Sequence, residues 1–302
     1  MKYRKDLPLV TIEGEELRKL QKKTLEIFLY LKEICEKNNL LFYFCGGSCI
    51  GAIRHKGFIP WDDDIDIFMP REDYEKLIKL WPKQADTDRY TIDYTNSTHF
   101  TRLLFAMVSD NKTTFIKERQ QDVDTSHCVR VDVIPLDGCP SGRFKRKMQM
   151  IWALLYTMFT TREAPVSKGI LMNIIGRIFM FFFFTKKMKY SFSKFCEKRM
   201  TRFKISDCDK ITELCTRYKY MVLEYPKEIF ESSVYKEFEG HMMPVPVGYD
   251  EYLKMAFGEY MDLPPKEEQI PKHDVVFYDL ENSYKNFKGL YYCVPADKEK
   301  KK

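Results

Sequence analysis

The stretch from Phe42 to Arg71 reads FYFCGGSCIGAIRHKGFIPWDDDIDIFMPR, and it leaves the chain few ways to fold. An apolar run, Leu40 to Phe44, stops at Gly46-Gly47-Ser48. Arg54, His55 and Lys56 follow, and then Asp62, Asp63, Asp64 and Asp66 lead into Ile65, Ile67, Phe68 and Met69. On a strand, alternate side chains share a face, about 6–7 Å apart along it. Asp64 and Asp66 therefore point one way while Ile65 and Ile67 point into a core. Two carboxylates fixed side by side repel each other unless cations sit between them. That geometry suits a pair of Mg²⁺ ions, which take hard oxygen ligands and stand about 3.5–4 Å apart in phosphoryl-transfer sites. A Gly-Gly-Ser turn offers close backbone approach and a helix N-terminus, both favourable to phosphate.

A third acid stands far along the chain. In His127 to Pro135, HCVRVDVIP, Val129, Val131 and Val133 alternate with Arg130, Asp132 and Ile134. A carboxylate among β-branched residues needs a partner, and the simplest one is the same metal pair. Asp132 is thus expected as the third metal ligand, and Asp137 as a turn or supporting residue.

The block GGSCIGAIRHKGFIPWDDDIDIFMPREDYEKL resembles the signature of the LicD family of phosphocholine transferases. So does Val131-Asp132-Val133-Ile134-Pro135-Leu136-Asp137-Gly138, and so does VYKEFEGHMMPVPVGYDEYLKMAFGEYMDLPP near the C-terminus. The resemblance implies an α+β fold: a nucleotidyltransferase-like mixed sheet flanked by helices, with a largely helical C-terminal half. It implies a CDP-choline or related CDP-alcohol donor, a glycan acceptor that is often lipid-linked, and two Mg²⁺ ions, with Mn²⁺ as the alternative. Carried onto this chain, Asp64, Asp66 and Asp132 are catalytic and hold the metals. Gly46, Gly47 and Ser48 hold donor phosphate, Arg54 and Lys56 add positive charge, His55 hydrogen-bonds, and His273 donates to phosphate. A quaternary ammonium needs aromatic faces. Trp61 is one candidate wall; it serves equally as a core anchor for the Asp strand.

Residues Glu15 to Asn38 read as an amphipathic helix, with Leu17, Leu20, Thr24, Ile27, Leu31 and Ile34 at three- and four-residue steps. Strands are expected at 40–44 and 64–69, and helices at 48–54 and from Arg71 to Trp81, where Pro82 ends the run. Short strands follow at 90–94, 101–108 and 113–116, with Asp110-Asn111-Lys112 as a hairpin turn. Residues 192–220 read as helical with a polar break at 206–209. Phe238-Glu239-Gly240 and Pro244 to Pro246 read as strand and turn, Tyr249 to Phe257 as a helix with Gly258 as its cap, and 297–302 as a charged tail.

From Ser141 the composition changes. Met150 to Phe159 and Ile170 to Phe184 are apolar runs flanked by Arg143, Lys145, Lys147 and by Lys186, Lys187, Lys189. Neither reaches the ~18–20 uninterrupted apolar residues that spanning needs. They are core helices, or helices that lie on an anionic membrane. We therefore divide the chain into a catalytic core at 1–140, a helical apolar and basic region at 141–230, and a block at 231–302 that completes the site.

The formal net charge is +6 and no dense Lys/Arg stripe with a reading motif occurs, which disfavours nucleic acid as a partner. The cysteines number 9, an odd count with no CxxC pair, and the first residues are polar. That pattern reads as a cytosolic protein, in solution or peripheral on the inner face of the plasma membrane. The function expected is transfer of phosphocholine to a cell-surface glycan such as lipopolysaccharide, teichoic acid or capsule. Transfer of ribitol or glycerol phosphate, nucleotidyl transfer with pyrophosphate release, and a non-catalytic glycan- or membrane-binding role are the alternatives.

Overall fold

The computed structural model describes Tyr3 and residues 5–162, 185–271 and 274–296. His273, the apolar run 170–184 and the tail 297–302 lie outside the described residues. The fold is α+β, as expected. Helix α1 spans Gly14–Lys37 and buries Leu17, Leu20, Thr24, Ile27, Leu31 and Ile34 along one face. Asn39 then takes a left-handed φ of 53° and turns the chain into β1, Tyr43–Phe44. Helix α2, Gly46–Ile50, runs into a wider π-helical turn at Gly51–His55.

Strand β2 is Asp66–Pro70 and leads directly into α3, Arg71–Gln84. Pro82 does not stop α3. It sits in the last turn, where the Ala85 N–H still reaches the Trp81 carbonyl at 2.9 Å and little helix remains to disrupt. Then come β3 (Tyr90–Asp93), β4 (Ala106–Asp110), β5 (Thr114–Lys117) and β6 (Arg130–Cys139).

The long β6 is the spine. Its first half pairs antiparallel with β4, through Ala106↔Val133 to Ser109↔Arg130. Along its other edge it runs parallel to β2, Asp66↔Asp132 through Pro70↔Leu136. Val131 and Val133 enter the core while Arg130, Asp132 and Ile134 share the opposite, partly open face. The expected alternation is thus present, and it sets an acid of β6 directly beside an acid of β2.

Past β6 the chain forms α4 (Arg143–Thr161) and α5 (Lys186–Met200). The helical run expected over 192–220 ends at Met200. It is replaced by β7, Lys210–Glu213, a one-turn helix α6, Tyr218–Met221, and β8, Tyr225–Pro226. Strand β7 pairs with the second half of β6, so the central sheet has seven strands. The hairpin of β9 (Ser233–Phe238) and β10 (His241–Pro246), helix α7 (Tyr249–Phe257) and β11 (Val275–Asp279) follow. Strand β11 pairs with β5.

One hydrophobic core runs from Ile12 through α1, β1, β2, α3 and β6 to Phe238, Tyr252 and Val275. A second gathers Ala153, Tyr156, Cys196, Met200 and Cys215 between α4, α5 and β7. The α4 part of the first apolar run is therefore core on its inner side. No helix of the described residues is long and apolar enough to cross a membrane. The two cores meet at Asp137, whose carboxylate accepts two hydrogen bonds from the Arg71 guanidinium at 2.8 and 2.7 Å. Asp137 is thus a supporting residue, joining β6 to α3 in a site only 1% exposed. Removing one partner strands a buried charge, at a cost of about 3–5 kcal/mol, whereas an apolar pair can restore packing. Asp137→Ala should lower the unfolding free energy by about that amount in urea titration, and the Arg71→Met, Asp137→Leu double variant should recover most of it.

Candidate active site

The turn after β1 and the start of β2 are clamped together. The Asp66 N–H donates to the Ser48 hydroxyl at 2.9 Å, and the Cys45 N–H donates to the Asp66 carbonyl at 3.0 Å. The Asp132 N–H donates to the Ile65 carbonyl at 3.1 Å, extending the parallel ladder one residue back towards Asp64. Asp66 is therefore held through both backbone polar groups, and Asp132 stands beside it on the neighbouring strand, about 4.8 Å away at the backbone.

Asp62, Asp63 and Asp64 gather in front of this pair. One oxygen from each lies within 4.8 Å of the other two, close enough for a shared cation. Gly47 makes room for them, because a Cβ there would come 2.5 Å from an Asp62 carboxylate oxygen. Crowding shows in the acidities. Desolvation, then the charges of Asp64 and Asp132, push Asp66 well above the ordinary carboxylate range. Desolvation, then Asp64 and Asp63, do the same to Asp62. The Asp64 side chain reaches solvent, yet protein atoms and Asp63 crowd its carboxylate and push it up to about 6. Protein cations answer this charge only in part. Arg130 Nε lies 3.5 Å from Asp132 Oδ1, and Lys117 and Arg130 act on Asp64 from across the opening. An excess of hard oxygen donors with so little internal compensation fits Mg²⁺ or Mn²⁺.

Several residues expected at the phosphate are occupied elsewhere. The Gly46 N–H donates to the Tyr252 hydroxyl at 3.0 Å, and the Ser48 hydroxyl accepts from Asp66. Arg54 Nη1 donates to the carbonyls of Tyr260 and Asp262, at 2.6 and 2.9 Å, tying the π-helical turn to the C-terminal block. Lys56 is 72% exposed and faces Glu237 at 3.5 Å. These contacts give Gly46, Ser48 and Arg54 scaffold roles beside the phosphate-holding role expected of them, and leave Lys56 exposed. His55 keeps a buried Nε2 without a partner among the described residues, and burial, then Arg54, lowers its basicity. Its ring meets Trp61 edge-on, with centroids 6.4 Å apart.

Trp61 lies at the rim of a cavity of about 270 Å³ lined also by Asp62, Asp63, Asp64, Phe115 and Lys117. Part of its ring packs on the core, so it is both anchor and wall. Lys117 and Arg130 were not read as site residues. Arg130 shares the open face of β6 with Asp132 at a spacing of two, a signal present in the sequence. Lys117 ends a four-residue strand whose partner is 158 positions away, Val275, and no local pattern points to it. Glu239 was also missed: it accepts from the Phe58 N–H at 3.2 Å and pairs with Arg18. It thereby fixes the loop between the glycine turn and the acids.

Mixed sheet, glycine turn and adjacent-strand acids define a nucleotidyltransferase-like transferase domain. Residues 39–147 match the family model described as LicD/FKTN/FKRP, nucleotidyltransferase domain. The chain is 30% identical over 270 residues to lipopolysaccharide cholinephosphotransferase LicD of Haemophilus influenzae, covering 85% of this chain and 96% of the relative. It is 27% identical over 126 residues to human ribitol 5-phosphate transferase FKRP, covering 35% of this chain and 25% of that protein. An uncharacterized protein of Rickettsia prowazekii is 36% identical over 91 residues, 28% of this chain and 34% of that protein. The chain belongs to the LicD family and is a phosphotransferase.

The scaffold role of Ser48 has its own signature. Ser48→Ala leaves the Asp66 N–H buried without an acceptor, which costs about 1–3 kcal/mol. That loss should appear in urea unfolding of the protein with no donor or metal added. A residue that only grips phosphate would leave this unfolding curve unchanged.

Proposed function

We propose that this chain transfers a phospho-alcohol, phosphocholine foremost, from a CDP-linked donor to a hydroxyl of a cell-surface glycan. The observation that carries the reading is the register Asp66↔Asp132, with Asp62–Asp64 gathered before it. Asp64, Asp66 and Asp132 would hold two Mg²⁺ ions, or Mn²⁺, with Asp62 and Asp63 closing the open side. When bound, such ions neutralise diphosphate and stabilise the leaving group.

The residues of the chain do the rest. The acceptor oxygen bonds to the phosphorus that carries the alcohol, the bond from that phosphorus to the oxygen of CMP breaks, and CMP leaves. A carboxylate oxygen of Asp132 takes the proton of the acceptor hydroxyl and returns it to solvent. Trp61 and Phe115 face the cavity beside the acids, and two aromatic walls with nearby negative charge suit a quaternary ammonium. The Haemophilus relative is named for cholinephosphate transfer, which supports choline as cargo; the human relative is named for ribitol 5-phosphate and supports the alternative.

Labelled CDP-choline and CDP-ribitol, offered separately with glycan acceptor, decide the reaction. CMP release with the alcohol label on the glycan marks phospho-alcohol transfer; release of free phosphocholine or phosphoribitol with CMP joined to the acceptor marks nucleotidyl transfer and ends this reading. Asp66→Asn and Asp132→Asn should each leave less than a few per cent of turnover. Asp66→Asn should melt no lower than the parent in metal-free buffer, because it removes one of several mutually repelling carboxylates, whereas Asp132→Asn also gives up its pairing with Arg130.

We also propose peripheral contact with an anionic membrane through the outer face of α4 and α5. Phe144, Met188 and Phe195 are exposed there at 78%, 43% and 48%, beside Arg143, Lys147, Lys187 and Lys198. Arg199 lies over the rings of both Trp152 and Phe195. Apolar side chains ringed by cations suit a headgroup layer. The protein should cosediment with vesicles containing anionic phosphatidylglycerol and not with pure phosphatidylcholine. Phe195→Glu should abolish that binding, and equal partition to both vesicles would refute it.

A further inference from the structure

We propose that Lys117 is the cation that grips the donor's diphosphate, the role first given to Arg54 and Lys56; this rests on the nucleotide-donor reading above. Three observations converge on it. Lys117 lines two cavities that border the acids, one shared with Trp61 and Asp62–Asp64, the other with Asp63, Asp64, Arg130 and Asp132. It is half-buried and forms no ion pair with a described residue, whereas Arg130 is engaged with Asp132 and donates to Gln120 at 3.3 Å. Its strand is pinned on both flanks. β11 pairs with β5, the Phe115 N–H donates to the His127 carbonyl at 2.6 Å, and the Glu118 N–H donates to the Asp274 carbonyl at 2.7 Å.

The strand period sets Lys117 on the face of Phe115, and that face looks into the site. A flexible stem ending in a point charge, on a rigid strand, with unanswered charge opposite, is suited to an anion that arrives with divalent ions. Lys117 also opposes the upward pKa shift of Asp64 and Asp66, so its charge reaches those carboxylate oxygens. With divalent ions held by those acids, the ammonium would be free for the incoming phosphate oxygens. It then adds hydrogen bonds from a charged donor, of which Lys can make three.

Calorimetric titration of the full chain with CDP and with inorganic pyrophosphate, both at saturating Mg²⁺, tests this. Lys117→Ala should weaken both by about 10- to 100-fold, the factor carried by a hydrogen bond to a charged group. Lys117→Arg should keep most of the affinity. Lys112→Ala, which removes a charge from the exposed turn before β5, should change neither. Circular dichroism confirms that each variant is folded. If Lys117 serves only as a counter-ion to the acids, Lys117→Ala will tighten Mg²⁺ and leave CDP affinity unchanged, and the proposal falls while the donor reading stands. If the parent protein binds neither CDP nor pyrophosphate, both fall.

Discussion

Mutual repulsion between carboxylates on adjacent strands is the constraint around which this molecule is built. Asp66 and Asp132 are neighbours across a parallel ladder, and Asp62, Asp63 and Asp64 crowd in front of them. Left to relax, such a group would spread apart. It is kept together by uncharged means: the Ser48 hydroxyl and Cys45 N–H on the Asp66 backbone, the Ile65 carbonyl on the Asp132 N–H, and the valines of β6 buried behind. The apolar core and the backbone ladder thus hold in place charges that the folded protein does not itself neutralise.

The same logic separates scaffold from chemistry around the site. Tyr252 caps the glycine turn, Arg54 reaches the C-terminal carbonyls, and Glu239 ties α1 to the loop that carries Gly57 and Phe58. Each of these polar groups makes a hydrogen bond that holds the shape of the loops. Proximity to the site and participation in it are different properties, and the hydrogen-bond partners distinguish them. Arg71 and Asp137 do equivalent work one layer further back, where β6 leaves the first core for the second.

Much of this was legible in the chain alone. The amphipathic stripe of α1, the glycine turn, Asp64 and Asp66 before an apolar strand, and the alternation about Asp132 are local patterns. A periodicity argument reads those well. It failed at some places where pairing is remote. Residues 210–213 read as helix because Ile211 and Leu214 suit either period; they form a strand because β6 is long enough to offer a second partner after β4 is used. Lys117 carries no local signal, since its place is set by β11. Gly46, Ser48 and Arg54 were found but their scaffold partners were not, because a residue type tells what it can bond and not which partner the fold brings to it. Pro82 was read as a stop by a rule that weakens in a helix's final turn.

The pairing of β5 with β11 has a consequence for how the site comes into being. The acids are specified by residue 132, yet the strand bearing Lys117 is anchored by residues 275–279. A chain emerging in order of synthesis would form its acidic floor early and wait for its opposite wall until nearly the whole length had been made. The interval between them contains α4, α5, β7 and the β9–β10 hairpin, and the family's shared block at 39–147 holds β5 without β11, the strand it pairs with. A product cut short of residue 275 would keep the strands that bear Asp66 and Asp132 and lose the partner that borders Lys117.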